Sequence, residues 1–140
     1  MNQSQTVILV DAHADVRPAY RLLLSMTKTL TVVGEAMTTT EACHCYAQQR
    51  PNVVIMDVNL PDISGLDAIR KLLAQDPQAR ILVTSLQDNS VHVASLLAAG
   101  ALGFVCKSSA PETLIEAVHC ISQGQRFVDP AVITAPRVDR

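Results

Sequence analysis

At 140 residues, with 49% hydrophobic residues, 17% charged residues and a formal net charge of −2, the chain has the size and balance of one domain around one core. So small a charge gives no electrostatic reason to expect direct contact with nucleic acid or a membrane surface. The longest apolar runs fall far short of the ~20 residues of a membrane span, and the opening "MNQSQT" lacks the apolar stretch of a signal peptide, so the expected location is the cytoplasm.

In chain order, short β-branched runs alternate with helix-length stretches. The run Val7–Val10 ends at Asp11, and a helix is expected over Val16–Thr27, with Asp15 as its cap and Pro18 in its first turn. A second strand, Thr31–Val33, precedes a helix over Thr40–Gln49 capped by Thr39 or Thr40. That helix carries Cys43-His44-Cys45, which resembles a metal motif until the helix is considered. Residues i and i+2 point about 200° apart on a helix, so the two sulfurs diverge and ordinary packing is the better reading. His119-Cys120 reads the same way, and a reducing compartment disfavours disulfides among Cys43, Cys45, Cys106 and Cys120.

Strands follow at Val53–Met56, Ile81–Thr84 and Leu102–Cys106, with helices at Leu66–Gln75, Ser90–Ala99 and Pro111–Gln123. The runs VILV, VVIM and ILVT are continuous rather than alternating, as in strands covered on both faces. Ser64-Gly65 opens the third helix, and Asp76-Pro77 stops it. Gly100 and Gly124 stand where helix ends need left-handed residues. The helix over Ser90–Ala99 carries no charge, so either it packs broadly on the sheet with Ala and Ser outside, or its outer face pairs with a partner. Five βα units imply a doubly wound α/β sandwich. After Phe127, "VDPAVITAPRVDR" has two prolines and no helical period, which predicts a linker or tail.

Ligands of such sheets bind outside the carboxyl ends of the strands. Asp11, Asp57, Thr84-Ser85 and Lys107 fall there, after the first, third, fourth and fifth strands. Any one acid at a strand end is an ordinary turn former; four polar positions on one edge make a site. No Gly-rich phosphate loop and no GxSxG elbow accompanies them. A carboxylate nucleophile can instead take a phosphoryl group where a divalent cation neutralises the approaching oxygens. A lysine and a hydroxyl would then hold the transferred group. Mg²⁺ suits one or two carboxylates with carbonyls and waters.

The segment "VVIMDVNLPDISGLDAI" resembles the phosphoacceptor segment of bacterial response-regulator receiver domains, with Asp57 as acceptor. Ser85 stands 28 residues after Asp57 and 22 before Lys107, the receiver spacing for the switch hydroxyl, which favours Ser85 over Thr84. "AAGALGFVCKS" resembles receiver strand 5, with Phe104 at the aromatic switch position. The match runs from about Val7 to Asp129. "H-x-x-V-R" after the first strand and "AVHCISQGQRFVDPAV" are similar to the NarL/FixJ class, whose members carry a LuxR-type helix-turn-helix after the receiver.

The resemblance implies a flavodoxin-like (βα)5 fold with a five-stranded parallel sheet of order 2-1-3-4-5. It implies a receiver over residues 1–129 and a linker or tail over 130–140. The protein would be a phosphoacceptor rather than a turnover enzyme. Its partners would be a sensor histidine kinase and a second copy of itself, with DNA reached only through a C-terminal helix-turn-helix that this sequence does not contain. Mg²⁺ would be held by Asp11, Asp57 and the backbone carbonyl of Asn59.

One position departs from the pattern. Receivers usually carry two adjacent acids after the first strand, the second touching Mg²⁺, and here that position is Ala12. A weakened Mg²⁺ site follows. Water could fill the gap, or Asp15 or His13 could lean in, although imidazole suits softer metals. Two readings result: phosphorylation of Asp57 persists, or the domain is a phosphorylation-independent interaction module. A flavodoxin-type flavin carrier is disfavoured because "DAHADVR" has neither the glycines nor the hydroxyl cluster of a phosphate loop.

Overall fold

The computed structural model describes residues 4–86 and 90–133. Its elements in chain order are β1 (Gln5–Val10), α1 (Val16–Ser25), β2 (Leu30–Ala36), α2 (Thr39–Gln49), β3 (Val53–Asp57) and α3 (Gly65–Gln75), then β4 (Ile81–Ser85), α4 (Ser90–Ala98), β5 (Gly103–Cys106), α5 (Pro111–Ser122), β6 (Phe127–Val128) and α6 (Pro130–Ile133). The strands pair in the order β2-β1-β3-β4-β5-β6, and every pairing is parallel.

The expected order 2-1-3-4-5 is therefore present but extended, and the sheet has six strands rather than five. Phe127 and Val128 pair with Gly103 and Phe104, and the stretch read as linker folds back as a strand and a short helix. Val132 on α6 is buried against the core. Residues 87–89 and residues 134–140 of the expected tail lie outside the described residues.

Alternation along the strands supplies two cores. Ile8, Val10, Val54, Met56, Val83 and Phe104 face α2, α3 and α4, while Val7, Leu9, Val53, Ile55, Leu82 and Val105 face α1 and α5. The central strands are thus covered on both faces, which is why their sequences are continuously apolar. On α4, Val93 and Leu96 are buried while Ala94, Ser95 and Ala98 are exposed, so the charge-free helix packs on the sheet with small residues outside.

Two expected caps are corrected. Asp15 occupies the N-cap position of α1, but its backbone is helical and its side chain makes no capping hydrogen bond. A cap must leave the helical region for its oxygen to reach the N2 or N3 amide, and Asp15 does not. On α2 the cap is Thr38, whose hydroxyl accepts from Glu41 N–H at 3.1 Å. The Thr39 and Thr40 amides donate instead to Asp62 at 3.0 and 3.2 Å. Ser64 caps α3 through the Asp67 amide, at 3.1 Å.

Gly100 takes φ +120° just beyond α4. At Gly65 a Cβ would meet the Val58 carbonyl oxygen at 2.6 Å, so only glycine lets α3 start this close to the loop after β3. The four cysteines are free, with Cys43 and Cys45 packed partly against the larger core. No helix among the described residues is long and apolar enough to cross a membrane.

Candidate functional site

The parallel register brings the carboxyl ends of β1, β3, β4 and β5 to one edge. Asp11 follows β1, its amide bonded to the Ala36 carbonyl of β2. Asp57 is the last residue of β3 and pairs with Thr84, while Ser85 pairs with Cys106. Lys107 follows at once, its amide donating to the Ser85 carbonyl at 2.7 Å. Strand alternation continues the α1/α5-facing rows into Asp11, Asp57 and Lys107, and the opposite row through Phe104 and Ser85. Phe104 and Ser85 are both fully buried.

Three expected residues converge closely. Lys107 Nζ lies 2.8 Å from Asp11 Oδ2 and 3.3 Å from Asp57 Oδ2. The ammonium is itself nearly buried, with its side chain 9% exposed. On the other side of Asp11, the His13 backbone N–H donates to Oδ1 at 2.9 Å, and His13 Nδ1 sits 2.7 Å from that oxygen. The same ring nitrogen is 3.4 Å from Asp57 Oδ2. Ala12 presents only a methyl group, so the imidazole, not a second acid, joins the two carboxylates.

The electrostatics follow from this packing. Burial alone would push the Asp11 carboxyl up, but the Lys107 ammonium and the two His13 nitrogens outweigh it and hold the group below the usual carboxylate range. The Arg17 guanidinium donates to the Asp11 carbonyl at 2.5 Å and to Glu35 at 3.0 Å, fixing the turn. Tyr20 on α1 reports on the same site. Burial, then the charges of Asp11 and Asp57, push its phenol up to about 12.

Asp57 has an unbalanced hydrogen-bond account. Its Oδ1 accepts from the Asn59 amide at 3.2 Å, whereas its buried Oδ2 accepts no hydrogen bond. Buried oxygens almost always accept a hydrogen bond; this one has only the Lys107 ammonium facing it at 3.3 Å. Asp11, His13 and Asp57 also offer ligand atoms all within 4.8 Å of one another. Two carboxylates beside a nearly open turn fit a divalent cation that completes its shell with waters. Ala12, His13, Asn59 and Leu60 help line a groove of about 570 Å³ that runs from this cluster towards α3 and α4.

Two residues of this neighbourhood escape a reading of the sequence. Tyr20 looks like an ordinary apolar-face residue of α1. Asp129 looks like a turn residue before Pro130, yet its carboxylate accepts from Ser109 Oγ at 2.5 Å, Cys106 N–H at 2.9 Å and Ala131 N–H at 3.0 Å. It thereby ties the chain after β6 to the loop that carries Lys107. Asp15, the other acid of this turn, is exposed and forms no hydrogen bond or ion pair with Asp11, His13 or Asp57.

Residues 7–119 match the response regulator receiver domain family. A two-component response regulator of the LuxR family from Aurantimonas sp. SI85-9A1 superposes with a TM-score of 0.90 at 35% identity, covering 94% of each chain. The transcriptional regulatory protein DegU of Brevibacillus brevis is 30% identical over 126 residues, 90% of this chain and 53% of that protein. The nitrate/nitrite response regulator protein NarL of Escherichia coli K12 is 31% identical over 127 residues, 91% of this chain and 59% of its own length. The chain thus spans little more than half the length of these curated relatives. With the family matched over most of its residues and the fold shared with a LuxR-family regulator, the chain belongs to the response-regulator receiver family, as the receiver domain of a LuxR-type two-component regulator.

Proposed function

We propose that Asp57 accepts a phosphoryl group from a phosphohistidine of a sensor kinase, and that Ser85, Phe104 and Lys107 convert that event into a change of surface. The observation that carries this reading is Asp57 Oδ2: buried, without a hydrogen bond, and 3.3 Å from the Lys107 ammonium. An oxygen so placed is a nucleophile whose charge is compensated but not occupied. The new bond forms between Asp57 Oδ2 and phosphorus as the N–P bond breaks, its electron pair returning to the departing imidazole. A divalent cation at Asp11, Asp57 and the Asn59 carbonyl, Mg²⁺ in most receivers, supplies neutralising charge to the phosphoryl oxygens when bound.

Lys107 then moves its ion pair from the two carboxylates to the phosphoryl group, which carries close to two negative charges. Ser85 lies in the row that faces α4, so a hydroxyl drawn towards the phosphoryl group leaves space on that side. Phe104, in the same row, repacks into it, and the α4 face changes. In the whole protein this surface would govern pairing with a second copy and the action of a C-terminal helix-turn-helix on DNA, as the similarity to transcriptional regulators suggests. The receiver would extend through α6, whose Val132 is buried in the core, so a linker would begin beyond Ile133 rather than at residue 130. The phosphorylation-independent alternative has no specific feature in its favour, because Asp57, Ser85 and Lys107 are all in place.

Intact-mass measurement after incubation with acetyl phosphate and a divalent cation tests the reading. One phosphoryl group should appear on the native chain and none on Asp57→Asn. Identical spectra for the two would end it.

A further inference from the structure

The chain does not leave the sheet at the end of α5. It returns as β6 beside β5, where the Asp129 amide donates to the Phe104 carbonyl at 2.9 Å. The Asp129 carboxylate then divides between two segments. Its Oδ1 accepts the Ala131 amide of α6 at 3.0 Å. Its Oδ2 accepts the Cys106 amide at 2.9 Å and the Ser109 hydroxyl at 2.5 Å. Cys106 and Ser109 flank Lys107, and the Ser109 amide closes the turn on the Cys106 carbonyl at 3.0 Å. One short turn is therefore gripped from two sides: by Lys107 Nζ on Asp11 and Asp57, and by the carboxylate that also holds α6.

We propose that Asp129 is a latch that makes the hold on α6 depend on what Lys107 is bound to. The inference rests on the phosphoacceptor reading for its trigger, and it names a route from that pocket to the carboxyl-terminal end of the domain. When Lys107 turns from the two carboxylates to a phosphoryl group, the turn that carries it moves. Oδ2 already has two donors at full hydrogen-bond distance, and such bonds weaken steeply as distance and angle depart from ideal. Displacing the turn loosens them, which sets the direction of the response. α6 is well placed to show it, because a four-residue helix cannot hold itself. Its Val132 amide donates to the Asp129 carbonyl at 2.9 Å, and the Val132 side chain is buried in the core that contains Phe104, Val93 and Leu96. The chain continues from α6, so a loosened α6 frees whatever follows residue 133. Ser85 and Phe104 act on α4 through side chains, whereas the latch acts through the backbone of the turn and a single carboxylate. Mutation can separate the two.

The test is residue-resolved hydrogen exchange at the Ala131 and Val132 amides, read relative to the β3 amides so that global opening cancels. The chain is followed before and after treatment with acetyl phosphate and a divalent cation, and intact mass reports how much of it carries phosphate. In the phosphorylated native chain the two α6 amides should exchange about tenfold faster or more, as expected for the loss of one or two hydrogen bonds. Asp129→Ala should gain the same mass, but its α6 amides should already exchange fast and respond no further. Ser109→Ala, which removes one donor and leaves the carboxylate, should fall between the two. Lys107→Met needs no phosphate: with the turn released from Asp11 and Asp57, α6 exchange should rise relative to β3. Unchanged α6 exchange in the phosphorylated native chain or in Lys107→Met, or an undiminished response in Asp129→Ala, would overturn the latch. A chain that takes up no phosphate ends the phosphoacceptor reading instead, and Lys107→Met still decides the latch.

Discussion

Asp57 and Asp129 are each 2% exposed, lie on the same carboxyl edge of the sheet with β4 and β5 between their strands, and could hardly differ more in their surroundings. Asp129 is saturated: a hydroxyl and two amides converge on it. Burial alone would push its carboxyl up, but those hydrogen bonds outweigh it and hold the group below the usual range. Asp57 receives one amide on Oδ1, and on Oδ2 no hydrogen bond, only the Lys107 ammonium at 3.3 Å. Burial by itself therefore does not mark a reactive carboxylate. The two differ in their hydrogen bonds: the Asp129 carboxylate is held by three donors, as a structural fastener is, whereas Asp57 keeps one oxygen free of hydrogen bonds, which is the feature the proposed phosphoacceptor role rests on.

The contrast can be sharpened first at Lys107, where the largest loss of stability is expected. Lys107→Met leaves Asp11 and Asp57, both nearly buried, without their shared cation. Breaking a buried pair by removing one partner should cost about 3–5 kcal/mol in urea unfolding. A cost below ~1 kcal/mol would mean the two carboxylates are better solvated than their burial implies.

Next comes the direct comparison of the two acids. Asp129→Ala strands the Ser109 hydroxyl and the Cys106 and Ala131 amides, at a cost of about 2–3 kcal/mol. Asp57→Asn keeps the shape and leaves Lys107 paired with Asp11 at 2.8 Å, so its stability should stay within ~1 kcal/mol of the native chain. Equal losses for the two variants would erase the distinction. The pH dependence gives the sign. The folded Asp129 carboxyl is depressed, so its contribution is complete above the ordinary carboxylate pKa of about 4 and disappears as pH falls through the lower folded value. The stability gap between native and Asp129→Ala chains, followed by circular dichroism, should accordingly close on acidification and stay constant from neutral pH upward.

The smallest effects concern the caps. Thr38→Ala should cost about 1 kcal/mol, and Asp15→Ala less than ~0.5 kcal/mol, since only the first loses a capping hydrogen bond. Thermal unfolding of the two variants resolves the difference.

These residues also show where the sequence was legible. VILV, VVIM and ILVT announced central strands because burial on both faces leaves no polar alternation. The strand-end polar set followed from topology, and Asp11, Asp57 and Lys107 do converge. β6 escaped because two residues carry no periodicity and owe their conformation to pairing with Gly103 and Phe104. Asp129 escaped for a related reason: two of its three donors lie 20 and 23 residues away, at a distance no local pattern encodes. Asp15 has the residue type of an N-cap, but its helical dihedrals, which the residue type does not fix, keep its side chain from capping α1. At Ala12 and His13 the departure was visible in the letters. The distances that turn it into a ligand set belong to the folded turn.

The central claim is that Asp57, not its better-bonded neighbours, is the reactive carboxylate. Borohydride trapping after acetyl phosphate treatment, with peptide mapping by tandem mass spectrometry, tests it at single-residue resolution. The account predicts reduction at Asp57 alone, in the native chain and undiminished in Asp129→Ala. Trapping at Asp11 or Asp129, or none at Asp57, would contradict it.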